Sequence, residues 1–180
     1  MKIVKTKFEG LLILKRPTYH DNRGFLKELF EQKNFKKKKF VFDYFSFSKK
    51  NVIRGLHLQY KKPQAKMISV LNGKIFDVVL DCRKNSKTFG KHFVIYISAK
   101  DNTSLYIPEG FAHGFCSLTN NTFLYYKNSD YRDKKSEIGI LWKDKDLNIR
   151  WPIKKPIISS KDRKNLSFNK FLNSKNFKKM

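Results

Sequence analysis

Residues 67–81 read MISVLNGKIFDVVLD, in which two apolar runs are joined by Asn72-Gly73. Asn-Gly between two such runs is the strongest short-range signal for a β-hairpin, because a type I′ turn needs positive φ at both central residues. The two runs, residues 67–71 and 74–81, are each long enough to form a strand. We therefore predict two antiparallel strands here that are hydrogen-bonded to each other.

The rest of the chain continues this strand pattern. Further runs rich in β-branched and aromatic residues occupy residues 93–97, 104–107 and 122–126, and turn residues separate the runs about every ten positions. This spacing predicts an all-β fold, a sandwich or a jelly-roll β-barrel with a few short helices. One helix is expected over residues 26–32. We predict one folded domain, residues 1–162, and a Lys- and Asn-rich tail, residues 163–180, in which Phe168, Phe171 and Leu172 have the spacing of a short docked helix.

Composition narrows the class of protein. The chain has 180 residues, of which 40% are hydrophobic and 15% aromatic, so it can bury a core and is not a disordered polymer. No run approaches the roughly 18 apolar residues of a membrane span. Its two cysteines, Cys82 and Cys116, cannot form a disulfide framework. These features predict a reduced protein of the cytoplasm with no membrane partner.

The formal net charge of +25 raises the possibility of a nucleic-acid partner. However, the 33 lysines far outnumber the 7 arginines, and arginine is the residue suited to bidentate phosphate and base contacts. We therefore favour an anionic small molecule, which a positive field concentrates near the protein. A basic protein that binds nucleic acid is the alternative, and tight binding of generic DNA at physiological salt would support it.

Two segments carry residues suited to chemistry: NVIRGLHLQ, residues 51–59, and IPEGFAHGF, residues 107–115. Strict alternation in a strand over 51–59 gives two faces, Arg54, Leu56 and Leu58 on one and Ile53, Gly55, His57 and Gln59 on the other. In the second segment, a Pro and two Gly predict a turn that delivers His113 into the next strand. A lone histidine in a strand is more often structural than catalytic.

Together the two segments are similar to the two halves of the cupin motif. Many cupins bind a metal through His-x-His, a Glu and a later His, but here His57 is followed by Leu58-Gln59, and His20 and His92 lie in unrelated segments. We therefore predict no metal and no other cofactor. His57 is then free for acid–base work, to which an imidazole is suited at neutral pH.

Six motifs in order make the resemblance specific. The chain resembles the dTDP-4-dehydrorhamnose 3,5-epimerases from about residue 8 to residue 162. The matching segments are RGLHLQ (54–59), DVVLDCR with SKTFG (77–83 and 86–90), IPEGFAHGF (107–115), EIGILW (137–142), IRWP (149–152) and SSKD (159–162).

The resemblance implies a cupin-type jelly-roll homodimer that needs no metal and epimerises a nucleotide-linked 4-keto-6-deoxy sugar in dTDP-rhamnose biosynthesis. By similarity His57 is the base, Asp162 its partner, and Lys66 the cation near the keto oxygen. The proton donor on the other face is one of two adjacent tyrosines, and the family's spacing favours Tyr126 over Tyr125. An epimerase that inverts only C3 or only C5 is the nearest alternative.

Binding residues also follow from the resemblance, and two positions depart from it. Substrate contacts are implied for Arg23, Glu28, Arg54, Gln59, His113, Glu137 and Lys161. Phe42 and Tyr44 stand where the family has Gln-x-Asn, so we expect ring stacking on the base or sugar to replace hydrogen bonds there. Arg132 is a further departure, for which we expect little consequence. A single N-terminal strand, about residues 5–14, is expected to pair with the partner's sheet and to bring Arg23 and Glu28 to its pocket.

Overall fold

Strands dominate the computed structural model, which describes residues 1–180. The first seven strands are β1 (Lys2–Lys5), β2 (Leu12–Lys15), β3 (Thr18–Asp21), β4 (Gly24–Lys27), β5 (Phe42–Ser48), β6 (Val52–Gln59) and β7 (Lys66–Asn72). The others are β8 (Lys74–Asp81), β9 (His92–Ser98), β10 (Thr103–Ile107), β11 (Phe111–Ser117), β12 (Thr122–Asn128), β13 (Glu137–Gly139) and β14 (Ile157–Ile158). A 3₁₀ turn (Gln32–Phe35) and three short helices, α1 (Ser160–Arg163), α2 (Phe168–Leu172) and α3 (Lys175–Lys178), complete the chain. The predicted all-β class is confirmed.

Two large sheets form the jelly roll. The first has the order β1-β2-β10-β7-β12-β5, and the second has the order β13-β6-β11-β8-β9, with β14 added parallel to β6. β3 and β4 form a separate two-stranded hairpin. One apolar cluster lies between the two large sheets and contains side chains from both, among them Ile68, Leu124, Val79 and Phe115.

A second apolar cluster covers the outer face of the second sheet. It joins Leu58, Val78 and Ala112 to residues of the C-terminal segment, including Phe168 and Phe171. β8 and β11 thus bury both faces, and every residue of the two strands except Lys74 is buried. The tail beyond residue 162 is therefore packed on the body through α2; the division of the chain at that residue stays a prediction.

The hairpin predicted at Asn72-Gly73 is wrong. β7 pairs with β10 and β12 in the first sheet, whereas β8 pairs with β9 and β11 in the second. Gly73 has φ +85, but Asn72 is not among the residues with positive φ, so no type I′ turn forms. The Asn-Gly step instead carries the chain from one sheet to the other, because burial of both faces of β8 outweighs the local turn preference.

The helix predicted over residues 26–32 is also wrong. The chain there finishes β4, runs on without regular structure and enters the 3₁₀ turn at Gln32–Phe35. Phe30, Phe35 and Phe40 pack on one another with ring centroids 5.1–5.6 Å apart, and Phe35 and Phe40 also reach Tyr106 of β10. This aromatic cluster fixes the segment against the first sheet, and no helical face is left to bury.

None of the helices is long and apolar enough to span a membrane.

Candidate active site

A pocket of about 460 Å³ opens between the edges of the two large sheets. β5, β7 and β12 supply its wall on the first sheet, while β6, β11, β13 and α1 supply the facing wall. It contains eleven of the residues singled out from the sequence, namely Phe42, Tyr44, Arg54, His57, Gln59, Lys66, His113, Tyr126, Glu137, Lys161 and Asp162. Residues scattered over 120 positions of sequence therefore converge on one cavity.

An irregularity in β6 decides which side chains reach this pocket. His113 of β11 pairs with His57, but Phe115 pairs with Arg54, so Gly114 alone lies opposite Gly55 and Leu56. After this bulge the alternation of side chains is shifted by one residue. Ile53, Leu56 and Leu58 join the outer apolar cluster, while Arg54, His57 and Gln59 line the pocket. The predicted alternation, which separated Arg54 from His57, is wrong for this reason.

Gly55 is required for the close approach of the two strands. It has φ +124, and a Cβ atom there would lie 2.5 Å from the Cα of Gly114 and 2.8 Å from the carbonyl oxygen of His113. Gly55→Ala is expected to lower the free energy of unfolding by about 2–5 kcal/mol, since a strained φ and an overpacked contact add together. Chemical denaturation followed by circular dichroism measures this change.

Gly24→Ala is the matched control, because Gly24 has φ +136 and nothing lies within 4 Å of the added Cβ. It should show the backbone strain alone, about 1–3 kcal/mol. Equal losses in the two variants would contradict the steric role of Gly55.

His57 and Asp162 form a hydrogen-bonded pair in the pocket. Nε2 of His57 lies 2.7 Å from Oδ1 of Asp162, and Oδ2 of Asp162 accepts the backbone N–H of Gly55 at 3.3 Å. Burial alone would raise the pKa of Asp162, but these hydrogen bonds and the nearby imidazole bring it below its usual value. Because an ionised carboxylate only accepts, Nε2 carries the proton and Nδ1 is left as the basic nitrogen.

α1 places the carboxylate. Ser159 caps this helix, its side-chain oxygen accepting the backbone N–H of Asp162 at 3.0 Å. The Ser-x-x-Asp spacing of residues 159–162 thus fixes the backbone of Asp162 while its side chain points back to β6. The helix cap thus fixes the backbone of Asp162, and the hydrogen bonds to Gly55 and His57 fix its carboxylate.

Tyr126 and Lys66 stand on the opposite wall, on the first sheet. Tyr126 is buried and faces the pocket, and burial raises its pKa well above its ordinary value, with Tyr44 and Asp77 acting in the same direction. Tyr125 points to the other side of the sheet, where its hydroxyl donates to Asp43 at 2.8 Å. Burial lowers the pKa of Lys66 to about 8; Glu137 opposes this shift and Arg132 adds to it.

A second histidine that lines the pocket is held by a buried carboxylate. His113 and Asp77 are both buried, and Nε2 of His113 lies 2.8 Å from Oδ2 of Asp77. The sequence shows Asp77 only as part of the segment 77–83, and no spacing rule links residue 77 to residue 113. The pairing of β8 with β11, which sets Phe115 opposite Asp77, brings the two together.

No group of three or more His, Cys, Asp or Glu side chains in the chain is arranged to hold a metal ion.

Comparison with known proteins identifies the family of the chain. The family model of dTDP-4-dehydrorhamnose 3,5-epimerase matches residues 5–170. The chain belongs to the dTDP-4-dehydrorhamnose 3,5-epimerase family. It is 44% identical over 168 residues to the dTDP-4-dehydrorhamnose 3,5-epimerase of Shigella flexneri, covering 90% of this chain and 93% of that protein.

Two solved structures of epimerases are similar to almost the whole chain. An epimerase from Legionella pneumophila, in complex with dTDP-4-keto-L-rhamnose, is 38% identical with a TM-score of 0.90 and covers 93% of each chain. A 3′-monoepimerase from Streptomyces bikiniensis, in complex with dTDP-quinovose, is 28% identical with a TM-score of 0.85, covering 90% of this chain and 85% of that one. The predicted family and jelly-roll fold are confirmed, and the chain is an epimerase.

Two residues that the family resemblance places at the substrate lie away from the pocket of this epimerase. Arg23 is on the β3–β4 hairpin, with its side chain 85% exposed and its guanidinium paired with Asp21 at 2.7 Å. Glu28 follows the same hairpin and is also outside the pocket. Neither makes the predicted contact within its own chain.

The amide of Gln59 is occupied by the protein itself. Its Nε2 donates to the carbonyl oxygens of Lys62 and Tyr131 at 2.8 and 3.3 Å, and its Oε1 accepts the backbone N–H of Asp133 at 2.8 Å. Gln59 therefore holds the loop that follows β12 against β6. In this epimerase that loop carries Arg132.

Arg132, a departure from the family that was expected to have little consequence, lines the pocket. Its Nε and Nη2 donate to Oε2 of Glu137 at 3.1 and 2.9 Å, while Lys161 binds the other carboxylate oxygen. Burial would raise the pKa of Glu137, but these two cations lower it. The only signal in the sequence was that Arg132 lies five residues before Glu137, for which the family resemblance implies a substrate contact.

Proposed function

We propose that this epimerase converts dTDP-4-dehydro-6-deoxy-D-glucose to dTDP-4-dehydro-L-rhamnose by inverting C3 and C5. The observation that carries the proposal is the position of the His57–Asp162 pair and of Tyr126 on facing walls of one pocket. Inversion needs a proton to leave one face of a carbon and another to arrive on the opposite face. A base and an acid on facing sheets meet that requirement.

The ketone at C4 makes the neighbouring protons acidic, since their removal gives an enolate. We assign the removal to Nδ1 of His57, and the carboxylate of Asp162 stabilises the imidazolium that forms. The ammonium of Lys66 stabilises the negative charge that develops on the keto oxygen. The phenol of Tyr126, whose raised pKa keeps it protonated, then supplies the proton on the opposite face.

The charge of the pocket suits a diphosphate. Four cationic side chains line it, Arg54, Lys66, Arg132 and Lys161, against two carboxylates, Glu137 and Asp162. The excess of two positive charges balances the two negative charges of a nucleotide-sugar diphosphate. This convergence in a cavity supports an anionic small molecule rather than nucleic acid as the partner.

We also propose that the enzyme is cytoplasmic. Both cysteines are buried free thiols, which supports this location.

Incubation with dTDP-4-dehydro-6-deoxy-D-glucose in heavy water tests the function. Deuterium at both C3 and C5 of an L-configured product, read by NMR, is the expected result. A single labelled position would identify a mono-epimerase, which the similarity to the Streptomyces bikiniensis enzyme makes the second candidate. Absence of label from both C3 and C5 would contradict both candidate functions.

The lowered pKa of Lys66 predicts a fall in activity at alkaline pH. Lys66 has a pKa of about 8 in the free enzyme, so raising the pH through this value removes the positive charge that stabilises the enolate, and kcat/KM should fall. Tyr126 stays protonated over this range, because its pKa lies well above 10. Measurement of kcat/KM from pH 6 to 10 should show the decline.

Lys66→Arg supplies the control, since a guanidinium keeps its charge throughout that range. The variant is expected to be slower at pH 7 but to lose the alkaline fall. An unchanged alkaline fall in this variant would assign the titration to another group.

We further propose that the enzyme works as a homodimer, with the β3–β4 hairpin reaching the pocket of the partner. Phe25 and Leu26 on this hairpin are 66% and 61% exposed, and an isolated two-stranded hairpin has little stability of its own. The single N-terminal strand expected over residues 5–14 is instead β1, a turn and β2, and β2 pairs with β10 of its own chain. β1 is thus the edge strand at this end of the first sheet, and it is the strand that we propose to pair with the partner's sheet.

Mixing two inactive variants is expected to restore activity if Arg23 serves the partner's pocket. In a random mixture of His57→Ala and Arg23→Ala chains, half of the dimers are mixed, and each has one site with both residues intact. Activity should rise to about one quarter of the wild-type value. Sedimentation of the wild-type chain provides the companion measurement. A fully active monomer, or no gain on mixing, would contradict the shared site.

A further inference from the structure

Tyr44 stacks on the tyrosine that we assign as proton donor. The two residues are directly paired across β5 and β12, and their ring centroids lie 4.6 Å apart with an interplanar angle of 16°. His113 meets the same Tyr126 ring edge-on, with centroids 6.1 Å apart at 69°. The ring of Tyr126 is thus fixed by one stacked and one perpendicular aromatic neighbour.

The stack lies at the border of the sheet. β5 is the last strand of the first sheet, and Tyr44 is 39% exposed, so it covers Tyr126 on the side where the pocket opens to solvent. Without Tyr44 one face of the Tyr126 ring would lose its cover and the ring would gain freedom to move. A displacement of about 1 Å in a reacting group can cost on the order of a hundredfold in rate.

We infer that Tyr44 is a positioning residue, whose stacked ring holds the hydroxyl of Tyr126 at the sugar and so sets how often the enolate is protonated on the inverted face. This inference rests on the proposed function, in which Tyr126 supplies the second proton. Tyr44 also raises the pKa of Tyr126 in addition to the effect of burial, which keeps the donor protonated.

The same residue was expected from the sequence to stack on the base or sugar of the substrate. These two roles predict different kinetics. A residue that only binds substrate changes KM and leaves the fate of the enolate unchanged, whereas a residue that positions the donor changes that fate. One ratio separates the two roles. It is the amount of substrate recovered with solvent deuterium divided by the amount of inverted product.

Tyr44→Ala in heavy water, with dTDP-4-dehydro-6-deoxy-D-glucose as substrate, is the deciding variant. We expect the ratio of exchange to inversion to rise about tenfold, with KM changed by less than about threefold. Tyr44→Phe keeps the stacked ring and should keep the wild-type ratio. Phe45→Ala is the matched control, because Phe45 is next in the same strand but packs on Phe123 instead.

A measurement without substrate tests the Tyr44–Tyr126 stack itself, independently of the reaction. In protein labelled with 3-fluorotyrosine, the ¹⁹F resonance of Tyr126 is assigned by its loss in Tyr126→Phe. We expect Tyr44→Ala to shift that resonance, since the ring current of Tyr44 is removed, and Phe45→Ala to leave it in place.

The outcomes are distinct. A raised KM with an unchanged ratio in Tyr44→Ala, or an unshifted Tyr126 resonance, would overturn the positioning role. Failure of the wild-type enzyme to exchange either proton would instead overturn the proposed function, and the resonance would still report on the stack.

Discussion

Replacing His57 with alanine is expected to abolish both solvent exchange and epimerisation of the sugar. No other imidazole is paired with Asp162, so without His57 no base is positioned to form the enolate. Loss of a positioned base typically costs about 10²–10⁴-fold in rate. The measurement is deuterium incorporation at C3 and C5 in both recovered substrate and product, because a defect in enolate formation removes label from both.

Asp162→Asn is the companion variant. An amide can still bond to His57 but cannot stabilise the imidazolium, so we expect a large loss of rate with the same absence of exchange. His113 is the only other histidine in the pocket. If His57→Ala kept exchanging protons at near the wild-type rate, another group of the pocket, such as His113, would have to be the base, and the assignment of His57 would be wrong.

The strands could be predicted from the sequence because their signal is local. Runs such as residues 93–97 and 122–126 show the residue types and spacing of strands, and the structure forms β9 and β12 there. Alternation within β12 also predicts that Tyr125 and Tyr126 face opposite ways, and they do. Alternation alone does not predict which of the two tyrosines faces the pocket. The spacing of the family's motifs favours Tyr126.

The partners of the strands could not be predicted in the same way. Asn72-Gly73 has the residues of a tight hairpin, yet the chain passes there from one sheet to the other. Sheet membership is decided by which faces are finally covered, and the outer cover of β8 comes from the C-terminal segment, with Phe168 and Phe171 some ninety residues away. A local window does not contain that information.

The bulge at Gly55 shows the same limit within the site. Strict alternation put Arg54 and His57 on opposite faces of β6, but one extra residue opposite Gly114 brings both into the pocket. The bulge depends on two glycines in different strands whose backbones approach closely. Arg132 and Asp77 were missed for a related reason, since each gains its importance from a partner that only the fold supplies.

The second large effect is expected for Tyr126→Phe. It differs from the effect of His57→Ala because the enolate can still form. Tyr126→Phe leaves His57, Asp162 and Lys66 able to form the enolate but removes the donor from the facing wall. The enolate should then be reprotonated from the side of His57, whose proton has exchanged with solvent. We expect deuterium in recovered substrate and little inverted product, which mass spectrometry and NMR of the two sugars would measure.

Tyr125→Phe is the control for this prediction, because it removes the same atom one residue earlier in β12. The hydroxyl of Tyr125 donates to Asp43 on the other side of the sheet and does not line the pocket. Its loss should leave both exchange and inversion near normal. A Tyr125→Phe enzyme that exchanges without inverting, beside a normal Tyr126→Phe enzyme, would show that the donor is the other tyrosine, and the stacking role of Tyr44 would lose its basis with it.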